Sequence, residues 1–373
     1  MSHWQNFGAF LLLLTSSLIT SLDIAQATTL ELEQKAKVSG VVWAMAEIDP
    51  ETLIFTLREG RAGLLSLSKG NSKGNSTSNV QWLTGLPEVS AQGQGGLLDV
   101  AVHHNWIYFT YSKPGSEGAR TTLARAKLEF TRLTQWQDLL VTQSATNTGR
   151  HFGSRIAFDG KGHVFFGVGD RGERPNGQDL TTHAGSILRL NLDGSVPKDN
   201  PFVNQSGALP EIWSYGHRNP QGLCFNPQTQ RLWSSEHGPR GGDEINLIEP
   251  GKNYGWAEVS HGKEYWNPLM SVGEATSKQG MEDPRYVYIP SIAPGSLLCY
   301  QGERIAQWKN HLLLGALKLA HLNSVEIDNQ AQLRNEQRWF EDKNQRIRSL
   351  MQNRKGQLFM GTDSGHIYAI SPR

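Results

Sequence analysis

The stretch HVFFGVGD, residues 163–170, contains the pattern that decides the fold. A polar turn precedes a short apolar run, and an acidic residue next to glycine ends it. The same form returns at 231–238, RLWSSEHG, and at 357–365, QLFMGTDSG. Short alternating runs bounded by turn residues predict β-strands. Because the form repeats at intervals of tens of residues, we expect an all-β fold with radial repetition, a β-propeller.

The composition agrees with this class of fold. The chain has 373 residues with 39 glycines and 11 tryptophans, which suits strands joined by many tight turns. A net charge of +1 creates no general attraction to nucleic acid or to an anionic membrane surface, so neither is an expected partner. No proline-rich linker divides the sequence, and we expect residues 28–373 to form a single domain.

The first 27 residues are predicted to be a secretory signal peptide. The apolar run Phe7 to Leu14 is too short to cross a bilayer comfortably. Ala25-Gln26-Ala27 has the small-x-small form of a cleavage site. No other stretch is apolar enough to span a membrane, so we expect the mature chain to be periplasmic or secreted.

Three further features lie outside the repeating pattern. The only cysteines, Cys224 and Cys299, lie in apolar strand-like contexts that favour two buried thiols, and a disulfide stays an alternative. Residues 70–79, GNSKGNSTSN, are expected to form a hairpin tip. The stretch Asn267 to Asp283 is longer than a usual turn, and we interpret it as an excursion that covers a site.

Several polar residues at strand ends are candidates for a site at one mouth of the central channel. Gln94 lies between glycines, and its amide could bind a polar ligand. His151, in GRHFGS, has a side chain that can accept a proton at neutral pH. Arg218 and Asn219, in SYGHRNPQG, offer a guanidinium and an amide that suit an anionic oxygen. The structural alternative for each is a hydrogen-bonded or solvated turn.

Charged residues farther along the chain suggest a metal ion and an anionic ligand. Asp243 and Glu244 are adjacent carboxylates among glycine-rich turns, and hard oxygen ligands suit Ca²⁺. Lys318, and Arg346 with Arg348 two residues apart on one strand face, could form a clamp for a multiply charged anion. Solvated surface charges are the alternative in both cases.

Five motifs in order resemble those of one family. They are DGSVPKDNPF, IWSYGHRNPQGL, EHGPRGGDEINLI, GKNYGWAEVSHG and YIPSIAPG. This series resembles the soluble quinoprotein sugar dehydrogenases, which depend on pyrroloquinoline quinone (PQQ), and the likeness extends from about Val41 to Ile370. The resemblance implies a six-bladed β-propeller that oxidises aldoses at the anomeric carbon to lactones. It also implies an external electron acceptor, a quinone or a cytochrome, and a monomer or homodimer.

The resemblance assigns roles to individual residues. His151 resembles the general base, and Arg218 resembles the residue that stabilises charge on the quinone. The residues that match cofactor contacts are Gln94, Arg218, Asn219, Tyr265, Lys318, Arg346 and Arg348. Two calcium ions are implied, one at main-chain carbonyls of Gly238 and Pro239 and one at Glu244 and the carbonyl of Tyr254. The first ion, as a Lewis acid, would polarise the quinone.

The sequence departs from the usual family pattern beside His151. Arg150 adds a positive charge there, which is expected to lower the pKa of the imidazole. Two other functions remain open. One is a calcium-dependent lactonase-type hydrolase, which predicts metal ligands at the channel centre. The other is a binding propeller without catalysis, which predicts loss of His151 or Arg218, although both are present.

Overall fold

The computed structural model describes Met1 and residues 29–68 and 79–373. The predicted signal peptide and the predicted hairpin tip at 70–79, apart from Met1 and Asn79, lie outside these residues. The described chain forms six four-stranded antiparallel sheets. Each sheet is one blade of a six-bladed β-propeller, and the expected all-β fold is confirmed.

Among the described residues, the first three blades comprise twelve strands between residues 42 and 215. Strand β1 comprises Leu30–Lys37 and belongs to the last blade. The strands of blades 1 to 3 are β2 Val42–Asp49, β3 Thr52–Leu57, β4 Arg61–Ser66, β5 Val80–Trp82, β6 Leu97–His103, β7 Trp106–Lys113, β8 Arg120–Glu129, β9 Arg132–Val141, β10 Ile156–Phe158, β11 His163–Val168, β12 Ser186–Asn191 and β13 Ile212–Tyr215.

Blades 4 to 6 repeat this arrangement, and two of the three short 3₁₀ helices of the described residues lie in this part of the chain. Their strands are β14 Pro220–Asn226, β15 Arg231–Glu236, β16 Asp243–Ile248, β17 Tyr286–Tyr288, β18 Pro294–Cys299, β19 His311–Ala316, β20 Leu322–Ile327, β21 Leu333–Trp339, β22 Ile347–Gln352, β23 Leu358–Thr362 and β24 His366–Pro372. The 3₁₀ helices are Arg174–Gln178, Ala306–Trp308 and Glu341–Lys343.

The ring is closed by a pairing between the two ends of the described chain. Strand β1 pairs antiparallel with β24, with Leu30 opposite Pro372 and Lys37 opposite His366. The last blade therefore has the order β1-β24-β23-β22. Because the outer strand comes from the start of the chain, the first and last blades cannot separate without breaking this ladder.

The strands pack as the sequence pattern requires. The second strand of a blade is buried on both faces, as in β11, where Val164, Phe166 and Val168 pack into one core cluster and Phe165 into another. Hydrophobic side chains between neighbouring sheets form the core. No helix among the described residues is long and apolar enough to span a membrane.

The cysteines correct the favoured reading of two buried thiols. Cys224 in β14 and Cys299 in β18 form a disulfide, with their Cα atoms 5.7 Å apart. The bond joins the innermost strands of blades 4 and 5. The two residues are 75 positions apart in the sequence, and the packing of adjacent blades brings them together.

Candidate functional site

Two cavities lie at one mouth of the propeller and share Gln94. The first has a volume of about 540 Å³, and we name it the His151 cavity. Its lining residues are Gln94, Arg150, His151, Gly172, Arg174, Arg218, Pro239, Trp256 and Tyr265. The second has a volume of about 340 Å³, and we name it the Arg348 cavity. Its lining includes Trp43, Arg58, Gln94, Asn219, Gln221, His237, Leu317, Arg346, Arg348 and Asp363.

His151 is held in one orientation by a buried carboxylate. Its Nδ1 lies 2.6 Å from Oδ1 of Asp170, and the other carboxylate oxygen accepts a 2.7 Å hydrogen bond from Nε1 of Trp256. Asp170 ends the HVFFGVGD motif. Gly169 before it is required, because a Cβ there would lie 2.4 Å from the carbonyl oxygen of His151. His151 itself has a φ of 50°, a left-handed conformation that non-glycine residues seldom adopt.

The electrostatic surroundings keep this imidazole neutral. Burial lowers the pKa of His151, and the positive charges of Arg218 and Arg150 lower it further, against the opposing effect of Asp170. The predicted effect of Arg150 has the expected sign, although burial is the larger cause. For Asp170, burial raises the pKa, but the hydrogen bonds from His151 and Gly172 and the positive charge of Arg218 together outweigh it, so the pKa lies below its usual value. Asp170 is therefore an acceptor, so Nδ1 carries the proton and Nε2 has the free lone pair.

The SYGHRNPQG motif positions Arg218. Its backbone N–H donates to Oε2 of Glu236 at 2.7 Å, and the other oxygen of that carboxylate bonds Nδ1 of His217. The Arg218 guanidinium donates to the carbonyls of His237 and Gly238, both at 2.9 Å. It also lies over the Trp256 ring, 5.3 Å from the centroid. Arg218 is 9% exposed, so its charge faces the cavity with little access to bulk water.

Gln94 lies where the two cavities meet, and Asn219 lines the Arg348 cavity. Oε1 of Gln94 accepts a 2.8 Å hydrogen bond from the backbone N–H of His151. Oδ1 of Asn219 accepts from Nε2 of Gln221 at 3.2 Å, and the Asn219 side chain is buried. Protein partners thus fix both side chains at the edge of a cavity.

The two predicted arginines do converge, on a carboxylate that sequence reasoning missed. Asp363 accepts hydrogen bonds from Nε of Arg346 at 2.8 Å and from Nε and Nη2 of Arg348 at 2.8 and 3.0 Å. Arg348 also lies over the ring of Trp43 at 4.7 Å. Arg58 lines the same cavity and was likewise not predicted. Three guanidinium groups with one carboxylate give this cavity an excess of positive charge.

Tyr265 and Lys318 lie farther from the protein interior. Tyr265 lines the His151 cavity but is 65% exposed. It lies two residues before the predicted excursion Asn267 to Asp283, in the long segment between β16 and β17. The adjacent Glu264 holds this segment through two hydrogen bonds from the guanidinium of Arg174. Lys318 is exposed and lines neither cavity, although its neighbour Leu317 lines the Arg348 cavity.

The predicted metal ligands separate into distinct environments. Glu244, Tyr254 and Gly238 border a small internal cavity of about 10 Å³ that Glu236 also lines. Burial and the nearby carboxylate of Glu236 raise the pKa of Glu244 to about 8. The Gly238 carbonyl already accepts from Arg218, and Pro239 lines the His151 cavity. No group of three or more His, Cys, Asp or Glu side chains suited to a metal occurs in the described ranges.

Asp243 does not join Glu244 as the sequence analysis expected. Its carboxylate accepts from the backbone N–H groups of Gly238 at 2.9 Å and Ala293 at 2.6 Å. Successive residues of a strand point to opposite faces, so the two adjacent carboxylates diverge. Asp243 therefore connects two loops of the mouth.

The missed carboxylates had a signal in the sequence. Asp170, Glu236 and Asp363 each lie at or just after the end of the strand in one of the three repeats that decided the fold. Each binds a predicted site residue, respectively His151, Arg218 and the pair Arg346 and Arg348. The acidic residue at the end of each repeat's strand is thus also a partner of the site.

The fold and this site define a propeller with an oriented histidine beside a strongly cationic ligand cavity. The sequence model of the family described as Glucose / Sorbosone dehydrogenase matches residues 40–369. The chain belongs to this family, as the resemblance of its motifs indicated.

Individual relatives agree with this assignment. The chain is 37% identical to aldose sugar dehydrogenase YliI of Escherichia coli, over 89% of this chain and 90% of the relative. It is 28% identical to quinoprotein glucose dehydrogenase B of Acinetobacter calcoaceticus, over 67% and 69% of the two chains. The apo crystal structure of the soluble aldose sugar dehydrogenase from E. coli superposes with a TM-score of 0.86, covering 92% of this chain and 100% of that one at 35% identity.

Proposed function

We propose that the protein oxidises aldose sugars at the anomeric carbon to lactones, with PQQ as its cofactor. The observation that carries this proposal is the His151–Asp170 pair in a cavity that continues into a second one lined by guanidinium groups. The relatives' names, an aldose sugar dehydrogenase and a quinoprotein glucose dehydrogenase, support the substrate class and the cofactor. We further propose that the chain is exported after removal of residues 1–27.

His151 would act as the general base. Its Nδ1–H donates to the Asp170 carboxylate, so Nε2 can take the proton of the anomeric hydroxyl. As that O–H bond breaks, the C–O bond gains double-bond character and the anomeric C–H bond is lost as hydride. When bound, PQQ would supply the two-electron acceptor for this hydride. The depressed pKa of His151 keeps Nε2 unprotonated at neutral pH.

Cationic side chains on both cavities fit an anionic cofactor that bears several carboxylates. We propose that Arg58, Arg346 and Arg348 bind carboxylates, with Lys318 at the rim. Arg218 and Asn219 would contact the quinone oxygens, and Gln94 and Tyr265 would border the cofactor. Charge-assisted hydrogen bonds from guanidinium to carboxylate are among the strongest in proteins. Arg218 would stabilise negative charge as it develops, from a position that protein contacts already fix.

The small cavity at Glu244 fits a Ca²⁺ ion. Its buried carboxylate lies beside a second one, and a cation would neutralise the charge that burial disfavours. We propose Glu244 and the Tyr254 carbonyl as ligands. The predicted ion at Gly238 and Pro239 fits less well, because the positive guanidinium of Arg218 already binds the Gly238 carbonyl. We therefore derive no catalytic step through an ion there.

The test is reconstitution of the purified mature chain. Apoprotein is mixed with PQQ, Ca²⁺, an aldose and an artificial dye acceptor, and each component is omitted in turn. We expect dye reduction that needs PQQ and sugar together. PQQ binding without turnover on any aldose would favour the binding propeller. A lactonase would instead hydrolyse a sugar lactone with Ca²⁺ alone.

A further inference from the structure

Arg155 lies on the axis of the propeller and donates hydrogen bonds to all five of the other blades. It immediately precedes β10, the inner strand of blade 3. Its five hydrogen bonds reach the carbonyls of Trp43, Gln221, Gly295 and Arg348, at 3.0, 3.0, 2.5 and 2.8 Å, and Oδ1 of Asp99 at 3.0 Å. These acceptors lie on β2, β14, β18, β22 and β6, which are the inner strands of the five other blades.

This arrangement uses the whole donor capacity of the side chain. A guanidinium has five N–H donors in a fixed planar fork, and here each one has its own acceptor. Lysine has three donors around a single nitrogen, so it cannot reach all five strands. Arg155 is 6% exposed, and Asp99 neutralises its charge and also accepts from the backbone N–H of Ile156 at 2.7 Å.

Three of the five partners line the Arg348 cavity. Trp43, Gln221 and Arg348 all border it. The Arg155 guanidinium lies 5.7 Å from the centroid of the Trp43 ring, over which Arg348 also stacks. Gln221 in turn donates to Oδ1 of Asn219 at 3.2 Å. Arg155 and Asp99 themselves line a different cavity, which lies among the inner strands.

We propose that Arg155 is a positioning residue for cofactor binding: it fixes the backbone of Arg348, Trp43 and Gln221, and through them the floor of the Arg348 cavity. The inference rests on the proposed function, because the ligand of that cavity is PQQ. Arg155 does not line the cavity and so acts through its neighbours. The same hydrogen bonds hold the inner strands of six blades at fixed distances around the axis.

The test is Arg155→Lys in the full mature chain, with Arg189→Lys as the matched control. Arg189 is also a buried arginine with a carboxylate partner, Asp199, but it lines neither of the two site cavities. PQQ binding is measured by calorimetry without substrate, and backbone hydrogen exchange is measured on the apoprotein. We expect Arg155→Lys to weaken PQQ binding roughly tenfold, since charged hydrogen bonds depend steeply on geometry. Exchange should rise in β14, β18 and β22 more than in the outer strands β13 and β17.

The control variant Arg189→Lys should have a lower melting temperature than wild type. Its PQQ dissociation constant should stay within about twofold of the wild-type value, because only contacts outside the two site cavities change. Equal PQQ affinity in wild type and Arg155→Lys would overturn the inference, as would uniform exchange in inner and outer strands. If wild type binds no PQQ, the proposed function fails, and the exchange pattern alone decides the role of Arg155. Should Arg155→Lys not fold, Asp99→Asn, which keeps the shape of the acceptor, must weaken PQQ binding for the inference to stand.

Discussion

The His151 cavity and the Arg348 cavity meet at Gln94, yet they are built differently. In the first, the reacting group is buried and has one arrangement: the His151 side chain is 12% exposed and its partner Asp170 is 2% exposed. In the second, Arg346 is 53% exposed, and two guanidinium groups share the single carboxylate of Asp363. Proton transfer requires one atom at one place, whereas recognition of a polyanion requires positive charge over an area.

The carboxylates show the same contrast in their effects. Asp170 fixes a tautomer, because only Nδ1–H can donate to it. Asp363 fixes no proton and instead holds two permanent cations together against their mutual repulsion. Substitutions in the His151 cavity should therefore change turnover, and substitutions in the Arg348 cavity should change cofactor affinity. Single substitutions in each cavity test this division between turnover and affinity.

The largest effect is expected for His151→Ala. Removal of the base should lower kcat by roughly 10²–10⁴-fold, the usual contribution of a general base. The PQQ dissociation constant should change little, because the imidazole contributes no charge to the cofactor site. Stopped-flow reduction of the bound cofactor and calorimetric binding measure the two quantities separately. Normal turnover in this variant would show that another group takes the proton.

The second effect is expected for Asp170→Asn, which keeps the shape and removes the charge. We expect kcat to fall by roughly 10²-fold, because the imidazole loses its fixed orientation. Asp170 raises the pKa of His151, so its loss should lower that pKa further. The active form is the neutral imidazole, present above the pKa, and the acid limb of the pH profile should therefore move to lower pH. A shift to higher pH would contradict the assigned pair.

These residues also show which parts of the site the sequence could predict. Period-two alternation is a local property, so the strands and the all-β class followed from it. Asp170, Glu236 and Asp363 were visible as strand endings, but their partners come from distant loops, such as His151 for Asp170. The number of blades came from the family resemblance, since closure depends on β1 pairing with β24 across nearly the whole chain.

The corrected predictions failed for related reasons. Cys224 and Cys299 are neighbours only because β14 and β18 are inner strands of adjacent blades. Asp243 and Glu244 are neighbours in sequence and point apart because they lie on a strand. In both cases the distance between two side chains in the fold differs from what their separation along the sequence suggests.

The third effect is expected for Arg348→Gln, with Arg346→Gln for comparison. Arg348 is 12% exposed on its side chain, so a charged hydrogen bond lost there should weaken PQQ binding by roughly 10–100-fold. Arg346 is largely in water, and its loss should weaken binding less because solvent screens its charge. The kcat at saturating PQQ should stay near wild type in both variants. A fall in kcat with unchanged PQQ affinity would contradict this assignment, because it would show that the Arg348 cavity governs turnover and not cofactor binding.

The smallest effect is expected for Lys318→Ala. Although the family resemblance assigns this ammonium to the cofactor, it is exposed and lies outside both cavities, next to Leu317. An exposed charge in water contributes little, so PQQ binding should weaken by less than about fivefold at physiological ionic strength. The loss should shrink as salt is added, because the Debye length falls to about 3 Å at 1 M. Calorimetry at two salt concentrations measures both effects. A loss as large as that of Arg348→Gln, and insensitive to salt, would mean that Lys318 turns into the Arg348 cavity when the cofactor binds.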